Sequence, residues 1–315
     1  MNILVTGGAG FIGNAFALRA VAEGHSVTVI DNMNSYYDRS LKEARRARLP
    51  EGVTFVEGDI TDRALLTRLC EEEQFDAIGH FAAQAGVRYS LEHPEVYVES
   101  NYVGTFTILD VARLCGIKKI VMASTSSVYG DDTPTPFVET APASHPVSIY
   151  AATKRGVEIL ASTYAHLYQM EITALRFFTV YGPWGRPDMA LFHFTKQMLA
   201  GEQIPVYNNG QMRRDFTYVD DIVDGFYRAV TTSIPGYTVM NIGNGQPVEL
   251  MDFIRHLESA LGVEAKIDFK PMQAGDVHET YADISQAKEK LGYDPKTEIK
   301  QGISSFVEWY RNYYA

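Results

Sequence analysis

An α/β protein built on a doubly wound parallel sheet, with a smaller, discontinuous α+β lobe, is the fold these 315 residues predict. Three observations carry that expectation. Short β-branched runs alternate with helical patterns through the first half of the chain. The first run leads directly into a glycine-rich turn and a helix. After about Phe178 the loops lengthen, and prolines and glycines become more frequent.

In chain order the expected strands are Asn2–Thr6, Ser26–Ile30, Val53–Glu57, Ala77–Phe81, Ile117–Ala123 and Ile172–Arg176. Helical patterns fall between them, including Phe11–Glu23, Pro94–Leu114 and Ser148–Tyr168. Beyond Phe178 a 3.6-residue period persists in Val219, Ile222, Val223, Phe226 and Val230, and again in Leu250, Phe253, Ile254, Leu257 and Leu261. These patterns divide the chain into a first domain over residues 1–178, to which 216–242 return, and a lobe formed by 179–215 and 243–315.

Composition limits the partners. Net charge is −11, from 39 acidic and 28 basic residues, a balance that repels nucleic acid and anionic membranes. Cys70 and Cys115 are the only cysteines and form no C-x-x-C pair, so a reducing compartment fits. Histidines are scattered singly without metal-ligand spacing, and no metal site is expected. The opening "MNILVTGG" is a strand without a charged leader, and no apolar run reaches membrane-span length. A soluble cytoplasmic protein is the expectation.

"VTGGAGFIG" spaces Gly7, Gly10 and Gly13 as G-x-x-G-x-x-G between a strand and a helix. Glycines so placed allow a tight turn and close approach of backbone to a pyrophosphate, whose charge the helix N-terminus receives; a purely structural turn also uses glycines. Asp31 ends the second strand, eighteen residues past Gly13. Its carboxylate suits a ribose 2′-OH and repels a 2′-phosphate, favouring NAD over NADP, although an ordinary turn aspartate reads the same. Asp59, ending the third strand, falls where an adenine edge would lie or in a plain turn.

"YAATK" sets Tyr150 and Lys154 on one helix face. A phenol with pKa of about 10 is a poor base at neutral pH, and an ammonium within ~4–6 Å lowers it by roughly 1–3 units. The same spacing also arises by chance on exposed helices. "ASTSSVYG" gathers Thr125, Ser126 and Ser127 at the carboxyl end of a strand, where ligands of open α/β sheets bind and where turns also favour hydroxyls. In "YGPWGRPDM" two glycines and two prolines hold Arg186 in a stiffened loop.

Taken together, GGAGFIG, Asp31, the hydroxyls before "VYG" and Y-x-x-x-K resemble the extended short-chain dehydrogenase/reductase superfamily, a Rossmann-type fold, and within it the nucleotide-sugar epimerases. The resemblance implies Thr125, Tyr150 and Lys154 as a catalytic triad. It implies an NAD site from Gly7, Gly10, Phe11, Ile12, Gly13, Asp31, Asn32, Asp59, Ile60, Phe81, Ala82, Ala83, Asn101 and Phe177, with Tyr150 and Lys154 against the cofactor. "MRRDFTYVDDI" resembles the segment in which Arg214 meets the nucleotide diphosphate, and Asp276 falls where the uridine ribose would lie.

Dehydratases and decarboxylases of that superfamily carry a carboxylate after the threonine, where this chain has Ser126 and Ser127. "YGPWGRPDMALF" and "QAGVRYS" resemble the uronic acid 4-epimerases, which interconvert UDP-glucuronate and UDP-galacturonate. That resemblance implies a β-keto acid on the way, whose carboxylate Ser126, Ser127 and Thr179 would hold, with Arg186 or Arg88 supplying charge nearby. Carboxylate and diphosphate roles stand equally open for Arg186. A UDP-glucose 4-epimerase and a UDP-glucuronate decarboxylase are alternatives, although Thr179 and Gln273 replace an asparagine and an arginine of the neutral-hexose enzymes. An idle NAD-binding sensor is the alternative outside enzymes. The family usually dimerises through helices corresponding to Pro94–Leu114 and Ser148–Tyr168, so a homodimer is expected.

Overall fold

The computed structural model describes residues 1–272 and 278–314. Seven parallel strands form the central sheet: β1 (Asn2–Thr6), β2 (Ser26–Asp31), β3 (Thr54–Glu57), β4 (Ala77–His80), β5 (Lys119–Thr125), β6 (Glu171–Phe177) and β7 (Tyr237–Ile242). Their order across the sheet is β7-β6-β5-β4-β1-β2-β3. Chain direction across the sheet therefore reverses between β1 and β4, which opens a crevice at their carboxyl ends. Six of these strands match the expected runs within two residues at either end. β5 extends to Thr125, which makes that threonine the last residue of a strand rather than part of a turn.

Alternation along β1 shows why the sheet is buried on both faces. Ile3 and Val5 enter one core with Phe16, Val29 and Phe226, while Leu4 enters another with Ile30, Leu66, Ile108 and Val157. The first core is closed by helices Phe11–Ala22 and Val219–Thr231, the second by Arg63–Glu73, Gly104–Leu114 and Ile149–Tyr168. β7 was absent from the expected strands; "YTVMNI" is short, and only its parallel register on β6 completes it.

The helix expected over Pro94–Leu114 is present, with a widened turn inside it. It runs as an α turn (Pro94–Tyr97), a π-helical segment (Val98–Val103) and a helix (Gly104–Leu114). Wide π turns mark sites where one side chain is displaced inward for a purpose. Here that side chain is Asn101, which donates to the Gln84 carbonyl (3.0 Å) and to Thr153 Oγ1 (3.1 Å) and accepts from the Gln84 amide (2.7 Å).

The remaining residues build three small sheets: Thr179–Tyr181 with Phe216–Tyr218, Gln203–Val206 with Lys266–Phe269, and Arg213–Arg214 between Val248–Glu249 and Glu279–Thr280. They pack with helices Ala190–Leu199, Leu250–Leu261 and Ile299–Tyr314 around a third core, in which Phe216 and Phe253 stack 4.1 Å apart.

Candidate active site

The glycine turn lies where β1 meets the helix Phe11–Ala22, and steric facts explain its composition. Gly7 has φ +73°, and a Cβ there would stand 2.7 Å from the Ala82 amide nitrogen; a Cβ on Gly13 would stand 2.3 Å from the Gly7 carbonyl. Only hydrogen fits at either position, which keeps a cradle of bare backbone in front of the helix N-terminus. The Asp31 carboxylate accepts from the Ala9 amide (3.0 Å) and the Met33 amide (2.9 Å), so part of its hydrogen-bonding capacity pins this turn. Asn32 donates to Asp59 (2.8 Å), which also accepts from Thr61. Burial works against the Asp59 charge, and these hydrogen bonds more than restore it, holding the carboxyl below its usual value.

Phe81 stacks on Phe226 at 4.0 Å, Ala82 donates its amide to Thr6 Oγ1 (3.1 Å), and Phe177 closes the end of β6. Phe11 and Ile60 are buried, while Ile12 and Ala83 are half-buried. The cradle, the carboxylate at the end of β2 and the apolar floor together fit a dinucleotide. His80, beneath this floor, is packed between Thr6 Oγ1 (2.7 Å) and Thr105 Oγ1 (2.9 Å).

At the end of β5 the hydroxyls meet the tyrosine. Thr125 Oγ1 accepts from the Ser127 amide and lies 3.2 Å from Ser127 Oγ, and the Thr125 side chain favours the ionised form of the Tyr150 phenol. The helix bearing Tyr150 starts where Ser148 Oγ accepts from the Ala151 amide (3.1 Å), an N-cap that fixes the rotation of the whole Y-x-x-x-K face. Lys154 Nζ donates to the Ala123 carbonyl (3.0 Å), and burial pushes its pKa down to about 8 against the pull of Glu158. Burial also pushes the Tyr150 phenol above its usual value. The opposing pull comes from the Thr125 side chain and the Arg186 guanidinium, while Asp188 pushes it further up. The Arg186 guanidinium is thus a cation that opposes burial at this phenol.

Arg186 reaches this position from the loop after Tyr181. Its Nε donates to Asp188 Oδ1 at 3.0 Å, its Nη2 to Asp188 Oδ2, and Tyr36 donates to the same carboxylate (3.1 Å). Stiffness in the loop has a source that the sequence did not disclose. Arg45, fully buried, donates to the Trp184 carbonyl (2.6 Å), the Gly185 carbonyl (3.1 Å) and the Ala9 carbonyl (3.3 Å). One guanidinium therefore ties the glycine turn to the residues just before Arg186.

Thr179 shares a cleft with Arg186, Phe11, Gly182 and Met189. Arg88 stacks on the Tyr207 ring at 5.0 Å, and Arg214 donates to the carbonyls of Arg213 (3.0 Å) and His278 (3.1 Å). Arg186 lowers the Tyr150 phenol. Gln273 and Asp276 lie outside the described residues. Arg45, Tyr36, Asp188 and Tyr97, whose ring stands edge-on to Tyr150 at 6.1 Å, were missed by sequence reasoning. Only Asp188, two residues from Arg186, left any signal there.

A dinucleotide cradle, a half-buried tyrosine with a buried lysine one helical turn on, and strand-end hydroxyls beside them define a nicotinamide-dependent enzyme acting on an alcohol. Residues 3–243 match the NAD dependent epimerase/dehydratase family, and the chain belongs to it. It is 44% identical to a probable UDP-glucuronate 4-epimerase of Rhizobium meliloti, over all of this chain and 98% of that one. Among solved structures it is similar to the UDP-glucuronic acid 4-epimerase of Bacillus cereus, crystallised with UDP-glucuronic acid and NAD (33% identity, TM-score 0.92, all of both chains). It is also similar to the UDP-glucose 4-epimerase of Thermotoga maritima with UDP-glucose (32% identity, TM-score 0.92, all of both chains).

Proposed function

We propose that this chain is an NAD-dependent isomerase that interconverts UDP-glucuronate and UDP-galacturonate at C4 of the sugar. The observation that carries this reading is the strand-end triplet Thr125-Ser126-Ser127, three hydroxyls and no carboxylate, next to Tyr150 with Arg186 acting on the phenol. Neither Ser126 nor Ser127 can serve as the second acid/base that a dehydration requires. Bound NAD supplies the acceptor for the C4 hydride and returns it.

Tyr150 takes the proton of the C4 hydroxyl and gives it back after the sugar has turned over. Thr125 favours the ionised phenol oxygen, and the Lys154 ammonium keeps positive charge beneath the reacting face. Ser126, Ser127 and Thr179 hold the sugar carboxylate and Arg186 neutralises it, because a buried carboxylate without partners is costly. Gly7, Gly10 and Gly13 receive the pyrophosphate and Asp31 the adenosine ribose. We assign the UDP moiety to the lobe 179–215 and 243–315, with Arg214 toward the diphosphate and Arg88 as the alternative cation for the sugar carboxylate.

The test is incubation of the protein as purified with UDP-glucuronate, without added NAD, followed by NMR of the products. UDP-galacturonate is the expected product. Release of carbon dioxide with a UDP-pentose would make the chain a decarboxylase, and turnover of UDP-glucose alone would make it a neutral-hexose epimerase.

We further propose a cytoplasmic homodimer. Val98, Tyr102, Val103 and Phe106 expose apolar surface on one helix, and Ile159 and Leu167 on the adjoining one. Tyr102 packs against Gly156, where a Cβ would stand 3.0 Å from its ring, so the two helices form one continuous face. No described helix is long and apolar enough to cross a membrane.

A further inference from the structure

Asp188 is an acidic residue beside the place where an acidic sugar is to be received, and the proposed chemistry does not use it. Its own loop and two segments distant in sequence meet around it. Arg186, from its own loop, gives it both Nε and Nη2, and Tyr36, from the loop after β2, donates its hydroxyl (3.1 Å). Gly86, with φ +102°, passes so close that a Cβ would stand 2.6 Å from Tyr36 Oη and 3.6 Å from Asp188 Oδ2. The Gly86 carbonyl accepts from Tyr97 Oη, and the Tyr97 ring stands against Tyr150. A carboxylate held by a guanidinium and a phenol, with the Gly86 backbone passing beside it, is a built feature. Both side chains of the ion pair are about three-quarters covered, at 22% and 28% exposed, so solvent screens the pair only in part.

We propose that Asp188, held by Tyr36, is a positioning residue that occupies the Arg186 guanidinium and sets how strongly the site favours an anionic over a neutral sugar. The inference rests on the uronate reading given above. An incoming carboxylate has to share or take the guanidinium from Asp188, whose charge it also meets. Asp188 therefore lowers the affinity for both uronates, substrate and product alike, and keeps release of either from becoming slow. Its charge also reaches the phenol. Tyr150 is faced by Lys154 on its own helix, Thr125 and Ser127 at the end of β5, Tyr97, and the Arg186–Asp188 pair, with Tyr36 behind the pair. Within that set Asp188 raises the phenol and Arg186 lowers it. Neutralising Asp188 thus moves the low-pH limb of kcat to lower pH.

The experiment is calorimetric titration of the NAD-bound protein with UDP-glucuronate and with UDP-glucose, for wild type, Asp188→Asn and Tyr36→Phe, together with a kcat–pH profile. Asp188→Asn is expected to raise the preference for UDP-glucuronate over UDP-glucose about tenfold, as one partly screened charge at contact distance would. Affinity for UDP-glucose stays unchanged, and the low-pH limb moves down. Tyr36→Phe moves both readouts the same way by a smaller factor, and supplies the answer if Asp188→Asn does not fold. An unchanged preference in both variants, or equal losses for both ligands with an unmoved pH limb, overturns the assignment. A wild type that prefers UDP-glucose sinks the uronate reading instead, and Asp188→Asn still has to favour the anionic ligand if the assignment holds.

Discussion

Tyr150 stands under opposed forces: burial favours its neutral phenol, while Thr125 and Arg186 favour the ionised oxygen. A phenol in that balance is sensitive to each partner, and its removal is the plainest test of the base proposed here. Tyr150→Phe is expected to fold as wild type and to lose about 10²- to 10⁴-fold in kcat, the range of positioned proton transfer. Circular dichroism and product NMR measure the two quantities. Full turnover by the variant would take the tyrosine out of the mechanism. Arg45 works at the same scale, donating to the Tyr37 hydroxyl (2.5 Å) and to the carbonyls of Ala9, Trp184 and Gly185, which belong to two loops far apart in the chain. Arg45→Met leaves those carbonyls without a charged donor and is expected to cost about 3 kcal/mol or more in urea unfolding. Lysine at this position does not rescue it, because a single ammonium lacks the planar fork.

Elements set the distances that side chains then exploit. The π-helical turn puts Asn101 between Gln84 and Thr153, fastening the loop after β4 to the helix that carries Tyr150 and Lys154. His80 does the same beneath the cofactor floor, joining β1 and β4 to the helix Gly104–Leu114 through Thr6 and Thr105. Full burial, with Lys154 adding to it, pushes the His80 pKa down to about 3. The folded protein therefore keeps this ring neutral while the unfolded chain protonates it below about 6.5. Stability is fully present above pH 6.5 and is lost as pH falls toward the folded value. The expected loss from this group is about 2 kcal/mol between pH 7 and pH 5. Thermal melts of wild type and His80→Gln across that range check it: the variant starts lower but declines less steeply. Parallel slopes would remove His80 from the acid sensitivity.

For the whole molecule, the sheet brings the β5 hydroxyls and the glycine turn to one edge, and the third core carries the Arg186 loop across to meet them. Trp184 packs tilted against Trp309 and edge-on to Tyr313 of the helix Ile299–Tyr314, so this helix backs the loop from behind. On the far side, the exposed face running from Val98 to Phe106 and through Ile159 is the surface proposed for a second copy. Ile159→Arg changes a side chain 55% exposed, so it is expected to leave folding intact while converting dimer to monomer in sedimentation velocity. A variant that still sediments as a dimer would move the interface elsewhere.

Much of the fold was legible in the residues because its signals are local. Period-two and period-3.6 patterns lie within a few residues of one another, and they located six of the seven central strands. The glycine turn and the Y-x-x-x-K face were legible for the same reason, since one turn of strand-to-helix geometry or of helix fixes them. Boundaries that answer to distant partners were not. β7 needs β6 beside it, and the π turn needs Gln84 and Thr153 to draw Asn101 inward. By itself the sequence determined the class of fold, the cofactor turn and the tyrosine–lysine pair. Tertiary structure alone decided which arginine acts on the tyrosine and which acid restrains that arginine. The order of strands and the packing of a third core bring Tyr36, Gly86, Arg186 and Tyr150 together, and no spacing along the chain encodes that meeting.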